Sequence, residues 1–87
     1  MIDREVKRSK KNDDGDITAL CNPTEWWSPR QKADAINDIE NNTYRYFVDD
    51  GTNVISIHVV NDSIKGKYLR TDPDKTTRNN LDDLPDC

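Results

Sequence analysis

The chain predicts an α+β fold: a small antiparallel sheet of two hairpins plus a short final strand, ordered β-β-α-β-β-β, with one helix packed on one face and a C-terminal helical turn as a clip. Three observations predict it. Asp-Gly occurs at 14–15 and again at 50–51, each time between segments of alternating polarity, and that dipeptide supports the left-handed backbone of a two-residue hairpin. Ser28-Pro29-Arg30-Gln31, between the hairpins, has the residue types of a helix start. Leu81 and Leu84 stand three apart before Pro85, and a chain with only four leucines cannot leave two in water.

Composition sets the scale of such a fold. With 87 residues there is room for one domain, 1–87, and a chain of this size buries only about 60% of its unfolded surface. A deep substrate cleft is therefore not expected. Leu, Ile, Val and Phe number 17 of 87, just under the ~20% at which disorder competes. The net charge of −4 is small, and two Trp and three Tyr supply large buried areas, so the domain folds around a thin core.

Charge is unevenly spread. Residues 1–11 hold Arg4, Lys7, Arg8, Lys10 and Lys11 against Asp3 and Glu5, a net +3, which leaves −7 for the rest. A pI near 4.8 lies far from that of nucleic-acid binders, so the basic arm is read as the neighbour of acidic segments of its own fold. No apolar run has the length of a membrane span, and the N-terminal residues lack a secretion leader. The expected setting is cytoplasmic, with Cys21 and Cys87 as two free thiols.

Along the chain, strands are expected at 3–11 and 16–21 around Asp14-Gly15, with Asn12 facing Ile17 and Val6 on the side of Ile17, Ala19 and Cys21. Ser28 caps a helix from 29 to about 40, Pro29 opens it and Gln31 completes the capping box. Its apolar stripe is Ala33, Ile36 and Ile39 with Ala35 beside them, and it stops near Asn41-Asn42. In the second hairpin Tyr46 opposes Ile55 and Phe47 opposes Val54, which places Tyr44, Tyr46, Val48, Ile55, Ile57 and Val59 on one face. A slip of one residue would split that set. Gly66 to Thr71 form the last strand, Asp72-Pro73-Asp74-Lys75 turn the chain, and Asn80 caps the turn that seats Leu81 and Leu84.

Sites of chemistry are few. Asp72, Asp74 and Asp83 imitate positions one, three and twelve of a calcium loop, but Thr76 and Thr77 replace the required Asp/Asn and Gly, and Arg78 sits inside the would-be cage. Cys21, His58 and Cys87 are too few for structural zinc, and three glycines leave no phosphate loop. No metal and no cofactor is implied. His58, on the Phe47/Val54 side of its hairpin, is read as a partly buried histidine. Trp26 and Trp27 cannot both enter one small core; one plugs it, and the other leans over the helix start or meets a partner.

The stretches "DGDITAL", "WWSPRQKADAINDIE", "TYRYFV" and "GKYLRTDPDKTTRNNLDDLPDC" together resemble a family of small bacterial proteins of unknown function. That family has a mid-chain Trp-Ser-Pro helix start and a closing Tyr-Leu-Arg-Thr, Asn-Asn-Leu, Leu-Pro signature. The resemblance covers about the whole chain. It implies a compact single α+β domain, bacterial or phage-borne, with no activity attached to any residue, and it draws attention to Arg70, Thr71, Asp72, Asn79 and Asn80.

The function expected is a non-enzymatic binding or interaction module whose partner is another protein or, as a homodimer, a second copy. The candidate binding residues are Arg70, Thr71, Asp72, Asp74, Asn79 and Asn80 around the tail loop, with Trp26 and Trp27. The alternative is an enzyme or enzyme subunit with a polar site near the Arg70–Asn80 loop, joined by His58.

Overall fold

A computed structural model describes residues 2–49, 51, 53–64, 66–71, 81 and 84–87. Within them the α+β class holds, with one helix and seven strands in two sheets. The strands are β1 Ile2–Glu5, β2 Arg8–Lys11, β3 Ile17–Cys21, β4 Arg30–Gln31, β5 Tyr44–Asp49, β6 Val54–Asp62 and β7 Gly66–Thr71; helix α1 spans Lys32–Glu40. One sheet has the order β1-β5-β6-β7 and the other β2-β3-β4.

The basic arm does not form one hairpin strand. Val6 is the only apolar residue between Ile2 and Ile17, and the core takes it, at 1% exposure. The chain changes sheets there: the Val6 N–H donates to the Phe47 carbonyl (2.8 Å), and the next one, from Lys7, to that of Cys21 (2.9 Å). β1 consequently runs parallel to β5, a pairing of distant segments that local alternation does not reveal.

The first hairpin is wider than Asp14-Gly15 predicts. Lys11 pairs with Ile17 and Lys10 with Ala19, so Thr18 is an extra residue and five residues, 12–16, form the loop. The Asn12 side chain sets the turn by accepting from the N–H groups of Asp14 and Asp16, both at 3.0 Å.

The helix begins later than its apparent cap. Ser28 Oγ accepts the N–H of Asn22 (2.9 Å), the Ser28–Pro29 peptide is cis, and Arg30 and Gln31 pair with Leu20 and Ala19. Sheet pairing thus claims the residues proposed for the first turn, and Gln31 precedes the helix without a side-chain cap. The buried stripe is Ala35, Ile36 and Asp38, with Ala33 exposed. The C-terminus falls where expected: Asn42 adopts φ 56°, and the N–H groups of Asn42 and Thr43 donate to Ile39 and Asp38.

In the second hairpin the apolar face is the predicted one, but its register lies two residues away. Val48 opposes Ile55 and Asp49 opposes Val54. Because side chains alternate with period two, the shift changes partners and keeps the face.

The final strand is the one expected, and the clip is largely present. Leu81 is fully buried and Leu84 packs half-buried on the core. Ser9 holds the tail twice, donating Oγ to the Leu81 carbonyl (2.7 Å) and its N–H to that of Pro85 (3.1 Å). The predicted turn at 72–75 and the Asn80 cap lie outside the described residues. Cys21 and Cys87 are not free: they form a disulfide, Cα atoms 6.4 Å apart. Arg8 pairs with Cys21 and Ser9 bridges Asp86, so the clip itself brings the two cysteines together, which reasoning from compartment overlooks.

Candidate interaction site

The two tryptophans are set by the loop before β4. Asn22, itself buried, donates Nδ2 to the Glu5 carbonyl (3.0 Å) and accepts at Oδ1 from the N–H and hydroxyl of Thr24. The N–H groups of Glu25 and Ser28 close two further turns. This folded loop sends Trp27 inward, edge-on to Tyr46 with ring centres 5.8 Å apart, and leaves Trp26 84% exposed.

Arg4 lies beneath them, only 5% exposed. Its guanidinium carbon stands 3.4 Å from the ring centre of Tyr44 and 5.3–5.8 Å from those of Trp27, Trp26 and Tyr46. The rings' negative faces replace much of the water the cation has lost. Arg4 Nη1 donates to Tyr46 Oη (3.0 Å), Tyr46 donates to Asp38 Oδ2 (2.6 Å), and Arg30 grips both Asp38 oxygens at 3.0 and 3.1 Å. Every member of this network has a partner, as buried polar groups require.

Its electrostatics follow from these bonds. Burial raises the Asp38 pKa, but hydrogen bonds from Arg30 and Tyr46 outweigh it and hold the carboxyl below its ordinary value. Burial and then the bond to Asp38 push the Tyr46 hydroxyl up to about 12. The Arg30 guanidinium is raised, first by its hydrogen bond to Asp38. The cluster therefore stays as two cations, one carboxylate and a neutral phenol, a locked arrangement that supports the surface above it.

That surface is apolar and aromatic. Ile2, two residues from Arg4 and so on the same side of β1, is 64% exposed, and its cross-strand partner Tyr44 is half-buried. Trp26, Ile2 and Tyr44 are thus gathered at the outer strand of the larger sheet.

Of the residues singled out from sequence, Trp26 belongs to this surface and Trp27 to the core. Arg70 is half-buried on β7, paired with His58; Thr71 is buried opposite Ile57, so the two point to opposite sides. His58 is exposed rather than partly buried. Asp72, Asp74, Asn79 and Asn80 lie outside the described residues. Arg4, Arg30, Asp38 and Tyr46 were not singled out as a group. A signal for them exists: Asp38 sits three residues after Ala35, inside the helix's apolar stripe, where an acid needs a buried partner.

No curated protein and no solved structure matches the chain. The sequence pattern of one family matches residues 4–85, nearly the whole length, and the chain belongs to that family, described as "Protein of unknown function (DUF3892)".

Proposed function

We propose that the protein is a non-enzymatic interaction module that meets a protein partner through Trp26. The observation that carries this is the 84% exposure of an indole in a chain so short of apolar residues, on a loop fastened by hydrogen bonds and backed by a buried arginine. Trp, Tyr and Arg dominate binding energy at interfaces, and a side chain already held in place loses little entropy on binding. The test is capture from the native host by immobilised protein, with Trp26→Ala as comparison, alongside sedimentation velocity for self-association. A partner or a dimer lost in Trp26→Ala supports the proposal. A monomer that retains the same proteins without its indole overturns it.

The bacterial setting that the family resemblance implies and the cytoplasmic one expected from the residues belong to this reading, and the Cys21–Cys87 bond weighs against the cytoplasm, where thiols are kept reduced. Alkylation of the protein in its host cells decides between them: two labelled thiols place it in a reducing compartment, none in an oxidising one.

A further inference from the structure

A second feature shares Tyr44 with the Trp26 surface but does not include the indole. The β5–β6 ladder runs from Asp49↔Val54 to Phe47↔Ser56; beyond that, Tyr44 to Phe47 pair with β1, and β6 from Ile57 onward pairs with β7. The two strands part there, opening a cleft of about 260 Å³. Tyr44, Tyr46 and Ile57 line it from the core side of the strands and Arg45, Ser56 and His58 from the solvent side, with Ile39 and Asn42 at the end of α1.

We propose that this fork binds a small anion bearing a carboxylate or phosphate group. In a chain of net charge −4, none of the eight lining residues is acidic, and they include an arginine and the only histidine. Arg45 and His58 each lie two residues beyond the Phe47↔Ser56 pair, so they face one another across the gap, and Arg70 pairs with His58 from the next strand. Ser56 and Asn42 add a hydroxyl and an amide donor. Arg45 donates through Nε to Asp3 (2.7 Å) in an exposed pair, and a guanidinium carries further N–H donors in a fork suited to carboxylate and phosphate. The negative end of α1 borders the cleft, but the carbonyls of Asn37, Asp38 and Ile39 already accept bonds from residues 41–43. The lining favours a compact anion with a short apolar or planar body beside the half-buried Tyr44.

The test is nuclear magnetic resonance of the isotopically labelled 87-residue chain, including arginine Nε and histidine ring signals, titrated separately with inorganic phosphate and glutarate at constant ionic strength. Saturating shifts at Arg45, Ser56 and His58 with either probe are expected, and the probe that binds tighter identifies the anionic group. Arg45→Ala should weaken binding about tenfold, the loss of one charge-assisted contact. Asp3→Asn should tighten it by removing a competing carboxylate, and Trp26→Ala should leave it unchanged, since the indole is not part of the lining. Shifts that do not saturate with either probe, or an Arg45→Ala protein that binds equally well while melting normally, overturn the proposal.

Discussion

Two adjacent rungs of the β1–β5 ladder carry the same chemistry to opposite ends. Arg4 pairs with Tyr46 and, one residue earlier, Asp3 pairs with Arg45. In the first rung the guanidinium is sealed under four rings and linked through Tyr46 to Asp38; in the second, the Arg45–Asp3 ion pair stands in water, with side-chain exposures of 63% and 52%. The alternation of a strand makes this difference: one residue's step turns a structural cation into a surface one. The inner rung is closed by its own partners, and the outer rung is open to others.

Breaking the inner rung should cost most. Asp38→Ala leaves Arg4 and the Tyr46 hydroxyl buried without their anion, and loss of one partner from a buried pair costs roughly 3–5 kcal/mol. For a domain of this size that lowers the melting temperature by well over 10 °C, at ~4–8 °C per kcal/mol; a smaller shift would mean that water reaches the cluster. The acid limb sharpens the point. Because the folded pKa of Asp38 lies below its unfolded value of about 3.9, its stabilisation is complete above that pH and is lost as pH falls through the folded value. Asp38→Asn should flatten that part of the stability profile.

Tyr46→Phe is the milder cut, removing one hydroxyl that both accepts and donates while keeping the ring against Trp27, for about 1–2 kcal/mol by chemical denaturation. The folded hydroxyl titrates above its unfolded value of 10.0, at about 12, so its contribution is present below pH 10 and lost as pH rises through that higher value. The variant should lack this alkaline decline. Smallest is Asp3→Asn in the outer rung, where an exposed pair is worth 1 kcal/mol or less, about the margin of a melting curve. A large loss there would erase the distinction between the rungs.

The sequence showed faces better than partners. Tyr44, Tyr46, Val48, Ile55 and Ile57 declared a common face by alternation, and that face survived a register error of two because parity did. The β1–β5 pairing and the Cys21–Cys87 bond join residues about 40 and 66 positions apart, and no local pattern encodes them. Ser28 misled for a related reason: its oxygen suits a helix cap, but it bonds Asn22 instead, a contact created by the loop's tertiary path. Of the candidate site, one exposed tryptophan was legible, since adjacent indoles before a helix cannot both be buried. The arginine behind it was not, because Arg4 reads as part of a basic arm until Tyr44, Trp27 and Asp38 close around it.

That the inner cluster maintains the fold while Trp26 serves contact is checked by recording partner capture and the melting temperature of the Trp26→Ala protein side by side. Stability within about 1 kcal/mol of wild type is expected, the worth of one exposed ring over the Arg4 cation, together with loss of the partner or dimer. Capture that persists without the indole, or a variant that unfolds for lack of it, overturns that division of roles.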